Sequence, residues 1–303
     1  MKQYKVAIIG NGMICNAAHI PAYKAMGDKV KIVAVADIRE EAAKETAERH
    51  GIPKYYVDPY KMLEEEKPDI ISVCTPNAYH KEYTLAGFRA GCHVVCEKPV
   101  AVTCADAEEM FNAAEKAGKH LFVIQSLRFT GNFKAAAGLA KSGCLGDIYY
   151  ADLNLVRRRG VPRWGMFHMA KENVGGAFCD LGVHMCDYLM SISGNPKMVS
   201  VSGSAVTRIV NKEKNIEFSN AESGAPTGLF TPRKFDMKEF DVEEFANGYI
   251  RLENGMTVTF KISWALNLPN SNTVSICGDK GGLTIGDLSL IHISEPTRHA
   301  QIS

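Results

Sequence analysis

Short apolar runs alternate with charged stretches of helical period over the first 124 residues. The runs are rich in Val, Ile and Ala, as is typical of buried strands, and they occupy 5–10, 30–36, 69–74, 93–96 and 121–124. Between them lie predicted helices, of which the first reaches about Met26 and the others span 39–50, 58–66, 77–90 and 103–118. Strands and helices that alternate at this spacing predict right-handed βαβ units and a doubly wound parallel sheet.

The pattern changes near Gln125. A predicted helix at 132–142 is followed by longer runs in which apolar and polar residues alternate, at 147–157, 197–210, 247–253 and 256–264. Asn254-Gly255 separates the last two runs and is a strong signal for a two-residue hairpin turn. We therefore expect an α+β domain with a largely antiparallel open sheet, one helix containing 180–193, and a long polar loop at 211–241.

These patterns divide the chain into three predicted parts. Residues 1–124 form the doubly wound domain, 125–287 form the α+β domain, and 288–303 form a tail. The tail, LSLIHISEPTRHAQIS, resembles translated sequencing-adapter read-through, so we expect it to be non-native and the chain to be truncated. The alternative is a genuine edge strand with a frayed terminus.

The charge balance of the chain argues against a highly charged binding partner. The chain has 35 basic and 34 acidic residues, which gives no field that would favour nucleic acid, a membrane surface or a polyanion. No apolar run reaches the ~20 residues of a membrane helix, and Met1–Lys5 leads straight into strand material without a signal peptide. The predicted partner is a small molecule.

Cysteine usage indicates a reducing cytoplasm. The nine cysteines are scattered and form no C-x-x-C pair, and several lie in apolar stretches where a thiol behaves as a small hydrophobe. A metal site built from Cys92 and Cys96, or from Cys179 and Cys186, is a weaker alternative to simple burial. We therefore expect no metal.

Gly10-Asn11-Gly12 follows the first strand and opens a helix, as a dinucleotide-binding turn requires. Gly10 permits the tight turn, and Gly12 lets the backbone amides approach a pyrophosphate at the positive end of the helix. Met13 and Ile14 follow directly in that helix, whereas Cys15 stands where the fingerprint has its third glycine and weakens it.

Asp37 ends the second strand, 27 residues after Gly10. A carboxylate there accepts the adenosine ribose hydroxyls and repels a 2′-phosphate, which favours NAD over NADP. Arg39 could partly reverse that preference. Helix capping is the competing interpretation of Asp37 and is compatible with the same position.

Two further strands end in polar residues at the same predicted sheet edge. Thr75 and Asn77 follow one of them, with His80 a turn later, and helix capping is the alternative role for the first two. Lys98 follows the other strand within Glu97-Lys98-Pro99. Open α/β sheets bind their ligands at this edge, so we expect Lys98 to lie where the chemistry occurs.

The second domain supplies an acid/base candidate. Asp180, His184 and Asp187 are spaced so that all three lie along one face of a helix. A histidine beside a carboxylate can take and return a proton near neutrality. A lone histidine on an apolar helix is more commonly a core residue, and Asp187 is expected to be structural.

Five motifs of this chain resemble, in order and spacing, those of the Gfo/Idh/MocA oxidoreductases, the family of glucose-fructose oxidoreductase and inositol dehydrogenase. They are Gly10-x-Gly12, Cys74-Thr75-Pro76-Asn77-x-x-His80, Glu97-Lys98-Pro99, Gln125-x-x-Arg128-Phe129, and Gly175-Gly176 to Asp180-x-x-x-His184. The resemblance runs from about residue 4 to 287. It implies a Rossmann domain followed by an α+β domain whose open sheet makes homo-oligomer contacts, as a dimer or tetramer. It also implies NAD(H) or NADP(H) chemistry on sugars, cyclitols or their derivatives.

By position, Lys98, Asp180 and His184 match the catalytic trio of that family. His184 is the expected base for the hydroxyl proton, Asp180 orients its imidazole and binds a substrate hydroxyl, and Lys98 polarises the substrate oxygen. Pro99 is a candidate cis proline.

The strand-end positions and the resemblance together define the expected binding residues. Those expected at the cofactor are Gly10, Gly12, Met13, Ile14, Asp37, Arg39, Thr75, Asn77, His80, Glu97, Lys98 and Gln125. Those expected at the substrate are Arg128, Arg157, Trp164, Asp180 and His184. Of the arginines at 157–159, only one is expected to face a ligand, because neighbouring residues of a strand point to opposite faces.

The leading hypothesis is an NAD(P)-dependent dehydrogenase or reductase that acts on a sugar-like alcohol or carbonyl. One alternative is an NAD-dependent glycosidase that uses transient oxidation, because some members of the family work in that way. The other alternative is a non-catalytic dinucleotide-binding sensor, against which the retained trio argues.

Overall fold

The computed structural model describes residues 2–210, 228–286 and 290–294. Within them the chain forms two compact units. The first contains 2–124, 160–176 and 228–242, and the second contains 125–159, 177–210, 243–286 and 290–294. The chain therefore passes from one unit to the other more than once, whereas the sequence suggested one boundary after residue 124.

The first unit is built on a parallel sheet of six strands, called sheet A. Its strands are β1 (Tyr4–Ile9), β2 (Val30–Ala36), β3 (Tyr55–Tyr56), β4 (Ile70–Val73), β5 (His93–Cys96) and β6 (Leu121–Val123). Their order is β3-β2-β1-β4-β5-β6 and every pair is parallel. The predicted doubly wound sheet is confirmed, and its direction of winding reverses between β1 and β4, where such sheets bind ligands.

Helices cover both faces of sheet A. They are α1 (Ile20–Ala25), α2 (Glu40–His50), α3 (Pro59–Glu66), α4 (His80–Arg89) and α5 (Cys104–Ala117). The alternation of side chains in β1 fills both sides: Val6 and Ile8 pack with Ile20, whereas Ala7 and Ile9 pack in the cluster that contains Met62 and Phe88. Complete burial of such a side chain stabilises the fold by about 1.5–3 kcal/mol, so the apolar runs fix the strands in place.

The first helix differs from its prediction. A π-helical turn at Cys15–His19 precedes α1, so the segment is not one regular α-helix. The turn carries two buried polar residues, Asn16 and His19. Turns of this kind are frequent at functional sites because they redirect side chains that a regular helix would place elsewhere.

The second unit is built on a mixed sheet of seven strands, called sheet B. Its strands are β7 (Ile148–Val156), β8 (Met198–Val206), β9 (Phe245–Leu252), β10 (Thr257–Ser263), β11 (Ser271–Gly278), β12 (Gly281–Ile285) and β13 (Leu290–Ser294). Their order is β13-β12-β11-β7-β10-β9-β8, and only the β7–β10 pair is parallel. The predicted largely antiparallel open sheet is confirmed.

The β9–β10 hairpin is confirmed, but its turn is of another type. Leu252 lies opposite Met256 and the two are joined by a backbone hydrogen bond, which leaves a three-residue loop. Only Gly255 has a positive φ, of 84°, whereas a two-residue type I′ turn needs positive φ at both central residues. Asn254 instead accepts a hydrogen bond from the amide of Met256 through its side chain.

Three further helices lie in the later part of the chain, α6 (Gly131–Lys141), α7 (Ala170–Asn173) and α8 (Val183–Ser193). The predicted helix over 180–193 is α8 preceded by a π-helical turn at Phe178–Gly182. Asp180 lies in the turn and His184 in the regular helix. The prediction that Asp180, His184 and Asp187 share one face assumed a regular α-helix throughout, and it stays a prediction.

Parts of two predicted segments lie outside the described residues. Of the predicted loop, 211–227 is outside, and 228–241 is irregular apart from a 3₁₀ turn at Met237–Glu239. Of the predicted tail, 288–289 and 295–303 are outside, and the backbone of β13 pairs with β12. The non-native origin of the tail stays a prediction. None of the helices in the described ranges is long and apolar enough to cross a bilayer.

Candidate active site

The glycine turn after β1 has the geometry of a nucleotide-binding turn. Gly10 has a φ of 91°, and a Cβ there would lie 2.6 Å from the backbone of Cys74, so only glycine fits. A Cβ at Gly12 would meet nothing within 4 Å, which leaves open space beside the start of the helix. Met13 and Ile14 follow in that helix and are half-buried. This arrangement fits a pyrophosphate bound by backbone amides.

The side chain of Asn16 stabilises the glycine turn through hydrogen bonds to its backbone. Its buried amide nitrogen donates to the carbonyl oxygens of Asn11 and Gly12, at 3.1 and 2.9 Å. Its amide oxygen accepts from Nε2 of His50 on α2, at 3.0 Å. Asn16 thus links the turn to the next helix of the sheet and was not predicted. The signal that could have revealed it is a polar residue in an otherwise apolar helix start.

Asp37 is tied to the same turn. Its carboxylate accepts from the amide of Asn11 at 2.8 Å and from the amide of Arg39 at 2.9 Å, one bond to each oxygen. Nε of Arg39 lies 3.6 Å from Oδ1. Each carboxylate oxygen keeps a second acceptor site, so both ribose hydroxyls could still donate to Asp37. The geometry fits the predicted contact.

The residues after β4 are less exposed than the sequence suggested. The buried Asn77 amide donates to the carbonyl of Asn173 at 2.9 Å. His80 is completely buried, with Nδ1 2.8 Å from the carbonyl of Pro99 and Nε2 3.0 Å from the carbonyl of Thr75. Burial lowers the pKa of His80, although both carbonyls favour its charged form. The contacts of His80 therefore join two loops of the site, and a direct cofactor contact stays a prediction.

The side chain of Thr75 differs from those of Asn77 and His80 in its hydrogen bonding. Its buried hydroxyl oxygen has no hydrogen-bond partner within the described ranges, and the same holds for Oδ1 of Asn11. Buried polar atoms are normally satisfied, so an unpartnered one points to a missing partner. Both residues belong to the edge of sheet A that binds ligands, so these atoms fit a dinucleotide.

Lys98 follows β5 at this edge. It is half-buried, and the Lys98–Pro99 peptide bond is cis, as predicted. Glu97 is buried, and its carboxylate accepts from the backbone amide of Lys98 at 3.2 Å. Burial opposes its ionisation, but this effect is outweighed by the interaction with His19, chiefly its hydrogen bond, and by the backbone amide and charge of Lys98. The pKa of Glu97 consequently lies below its ordinary 4.5.

A buried polar chain leads to Glu97. Nε2 of His19 lies 2.8 Å from Oε1 of Glu97, and Nδ1 of His19 lies 3.2 Å from the hydroxyl of Ser72. The hydroxyl of Tyr23 lies 2.7 Å from the same serine oxygen. Burial raises the pKa of Tyr23 to about 12, so this phenol stays protonated. His19, Ser72 and Tyr23 were not predicted as site residues.

In the second unit, Trp264 fixes Asp180. The indole Nε1 of Trp264 donates to Oδ2 of Asp180 at 3.0 Å, and both side chains are buried. Glu243 caps the start of the π-helical turn that carries Asp180. Its carboxylate accepts a hydrogen bond from the backbone amide of Phe178 at 2.9 Å. A carboxylate at the start of a helical segment satisfies a free amide and complements its dipole. Neither Trp264 nor Glu243 was predicted.

The predicted substrate residues have different surroundings. Arg157 is half-buried and interacts electrostatically with Asp180, and burial lowers the pKa of its guanidinium. Arg158 is exposed, whereas Arg157 and Arg159 are both half-buried, so the expectation that only one of the three faces a ligand stays a prediction. Arg128 donates to both oxygens of Asp187, at 2.8 and 2.6 Å. Asp187 thus has the structural contact expected of it, and a substrate contact of Arg128 stays a prediction.

The remaining predicted residues lie in different units. Lys98 and Trp164 belong to the first, and Gln125, Asp180 and His184 to the second. Trp164 is buried and His184 is half-buried, one turn after Asp180. Oε1 of Gln125 is buried and has no partner in the part of the chain that the structure describes. Across those same ranges, no cluster of three or more His, Cys, Asp or Glu side chains could hold a metal.

Comparison with known families accounts for both units. Residues 4–125 match an oxidoreductase family with an NAD-binding Rossmann fold, and residues 133–284 match the GFO/IDH/MocA C-terminal domain. The chain belongs to the Gfo/Idh/MocA oxidoreductase family. The predicted resemblance is confirmed, and residues 4–125 match an NAD-binding Rossmann domain that includes the glycine turn and Asp37.

Gfo/Idh/MocA relatives include sugar and cyclitol dehydrogenases. The chain is 36% identical to D-glucoside 3-dehydrogenase of Escherichia coli over 93% of its own length and 76% of the relative. It is 30% identical to myo-inositol 2-dehydrogenase of Thermotoga maritima over 63% of its length and 55% of the relative. The WlbA dehydrogenase structure from Chromobacterium violaceum, a complex with NADH and UDP-GlcNAcA, shares the fold. Its TM-score is 0.79 at 24% identity, over 99% of this chain and 79% of that one.

The Trp264–Asp180 bond is open to a direct test. Trp264→Phe removes the indole N–H and leaves a buried carboxylate oxygen without that donor. We expect the free energy of unfolding to fall by about 1–3 kcal/mol, measured by urea denaturation.

Trp164→Phe is the matched control for this substitution. The indole nitrogen of Trp164 is also buried, but it has no partner among the described residues, so loss of its N–H should cost less. Equal losses of stability in the two variants would show that the bond to Asp180 contributes nothing of its own.

Proposed function

We propose that the chain is an NAD-dependent dehydrogenase or reductase that acts on a CH–OH or carbonyl carbon of a sugar, cyclitol or sugar derivative. The observation that carries the proposal is Lys98 at the carboxyl end of β5, on the edge of sheet A that also holds the Gly10 turn and Asp37. A cation at this edge is suited to polarise a substrate oxygen beside a nicotinamide. The sugar and inositol dehydrogenases among the relatives support the substrate class.

We assign the cofactor contacts to the first unit. The amides that follow Gly12 would bind the pyrophosphate and Asp37 the adenosine ribose. Thr75 would supply its buried hydroxyl, which has no partner among the residues that the structure describes. Arg39, Asn77, His80 and Gln125 remain proposed contacts of the same group. A bound nicotinamide supplies the hydride acceptor or donor.

The proposed proton chemistry uses Asp180 and His184. When an alcohol is oxidised, its hydroxyl proton must leave as the hydride is transferred, and an imidazole is suited to accept it. Asp180 is held by Trp264, so its position does not depend on solvent. Its carboxylate would bind a substrate hydroxyl and orient the imidazole of His184. Lys98 would stabilise the negative charge that develops on the substrate oxygen.

The substrate contacts are proposed for Arg157, Trp164 and Arg128. Arg157 is the strongest candidate because it is half-buried beside Asp180 and keeps its charge at neutral pH. An arginine in such a position can bind a carboxylate or phosphate of a sugar derivative. Arg128 already binds Asp187, so a substrate would have to share that guanidinium.

A substrate panel tests the function. D-glucosides, aldoses, inositols, polyols and sugar acids are incubated with NAD and with NADP, and absorbance at the nicotinamide band is recorded. We expect net NADH formation with at least one sugar-like substrate, and tighter binding of NADH than NADPH because Asp37 repels a 2′-phosphate. Tighter binding of NADPH would contradict the role given to Asp37.

The same panel separates the alternatives. Release of an aryl group from a glycoside without net NADH formation would favour the glycosidase. Binding of NADH without turnover of any substrate, and without an effect of Lys98→Ala, would favour the sensor.

We further propose that the protein is a cytoplasmic homo-oligomer that assembles through sheet B. The edge strand β8 exposes Met198, Val199 and Val201, at 55, 67 and 67% of their surface, and a second copy of the chain could cover them. None of the nine cysteines, all within the described ranges, forms a disulfide, which supports a reducing compartment. Light scattering should give the mass of a dimer or tetramer, and a monomer mass would overturn the assembly.

A further inference from the structure

The carboxylate of Glu97 is buried and is fixed by a hydrogen bond to each of its two oxygens. Its side chain is 9% exposed, and both carboxylate oxygens accept hydrogen bonds, from His19 and from the backbone amide of Lys98. A buried carboxylate is costly unless it is paired in this way. The side chain of Glu97 therefore has a defined place at the end of β5, beside the residue on which the proposed chemistry depends.

The direction of the hydrogen bonds can be derived from the groups themselves. An ionised carboxylate only accepts, so Nε2 of His19 donates to Glu97. Nδ1 of His19 can then accept from the hydroxyl of Ser72, which in turn accepts from the hydroxyl of Tyr23. Each group has a partner of the correct type, and the chain of bonds ends at the backbone of Lys98.

We propose that Glu97, held by His19, is a positioning residue that fixes Lys98 at the end of β5 and supplies the negative charge opposite its ammonium group. The proposal rests on the proposed function, in which Lys98 stabilises charge on the substrate oxygen. It differs from the expected role of Glu97 as a cofactor contact, because the carboxylate would act through Lys98 and touch neither cofactor nor substrate.

The groups that face Glu97 come from several elements. His19 belongs to the π-helical turn before α1, and Lys98 follows β5. Further contributions to its electrostatic environment come from His80 at the start of α4, from Cys74 after β4 and from Cys96 in β5. Burial raises the pKa of both thiols, so they remain neutral. Lys98 is a cation whose charge acts on Glu97.

Glu97→Gln tests the proposal in the full chain. The amide has the same shape, but it loses the charge and can accept from only one of the two donors. We expect kcat to fall about 10-fold or more, with KM and the Kd of NADH within about twofold of their original values.

Glu66→Gln is the matched control. Glu66 is also a shielded, ion-paired glutamate of the first unit, bound by Lys54 and Tyr56, and its pKa is likewise lowered. Its substitution should alter stability without a change in kcat. An equal fall of kcat in both variants would mean that Glu97 has a structural role only, and the proposal would fail.

His19 provides an independent test. His19→Leu removes the donor to Glu97 and should lower kcat in the same way as Glu97→Gln. His19→Gln should restore most of the activity, because its amide nitrogen reaches the position of Nε2. Circular dichroism shows whether both His19 variants are folded. Equal kcat values of the two folded variants would overturn the role of this bond.

These outcomes are distinct from failure of the proposed function. If Lys98→Ala keeps full turnover, Lys98 has no catalytic role and the proposed mechanism fails. If Lys98→Ala is inactive and Glu97→Gln raises the Kd of NADH with kcat unchanged, the mechanism stands, Glu97 is a cofactor contact and the positioning role is wrong.

Discussion

Lys98→Ala is expected to lower kcat by about 10²-fold or more, while the Kd of NADH changes by less than about twofold. The reason is that the ammonium acts on charge that develops during hydride transfer, whereas the dinucleotide is held by the Gly10 turn and Asp37. Stopped-flow turnover with the best substrate of the panel gives kcat, and fluorescence titration gives the Kd.

Lys81→Ala is a suitable control for the loss of a lysine from the first unit. Nζ of Lys81 lies 2.7 Å from Asp106 and 2.5 Å from Glu109, in a partly exposed ion-pair network between α4 and α5. Such pairs stabilise a protein by about 1 kcal/mol or less, and this variant should turn over normally. Unchanged kcat in Lys98→Ala would remove Lys98 from the mechanism.

His184→Ala should lower kcat by a similar factor, about 10²-fold or more. A general base contributes to the step in which the hydroxyl proton leaves, so its loss should reduce kcat and kcat/KM together and leave NADH binding intact. The variant should also lose the acid limb of the kcat profile, because the group that must be unprotonated is no longer present. Steady-state kinetics from pH 5 to 10 measure both effects.

His120→Ala is the control for loss of a histidine. His120 is exposed and its ring stacks on that of His93, with centroids 5.2 Å apart, at the start of β6. It should have wild-type kinetics. An acid limb that persists unchanged in His184→Ala would show that another residue is the base.

The sequence predicted much of the fold because local patterns determine it. The apolar runs at 30–36 and 93–96 coincide with β2 and β5, since each strand is buried and ends where charged residues begin. The prediction of the β9–β10 hairpin was right for a related reason. Its turn type was wrong, because Asn-Gly occurs in several tight turns and the backbone of the flanking residues decides between them.

The supporting contacts of the site were beyond the sequence. His19 and Glu97 are 78 residues apart, and Trp264 and Asp180 are 84 apart. No periodicity connects such residues, because they meet only after separate elements have packed. The two π-helical turns were equally hidden, since a single wide turn leaves the apolar pattern of the helix nearly unchanged. The sequence alone revealed the residues expected to take part in the reaction. It did not reveal the residues whose hydrogen bonds fix them in position.

The division of the chain into units also affects how the protein can be synthesised. The Rossmann unit includes 160–176 and 228–242 in addition to the first 124 residues. Its last segment, 228–242, leaves the ribosome only after 125–159 and 177–210 of the second unit have been translated. A gene fragment that stops at residue 124 therefore encodes an incomplete first unit, and the rest of that unit exists only after more than a hundred further residues have been translated.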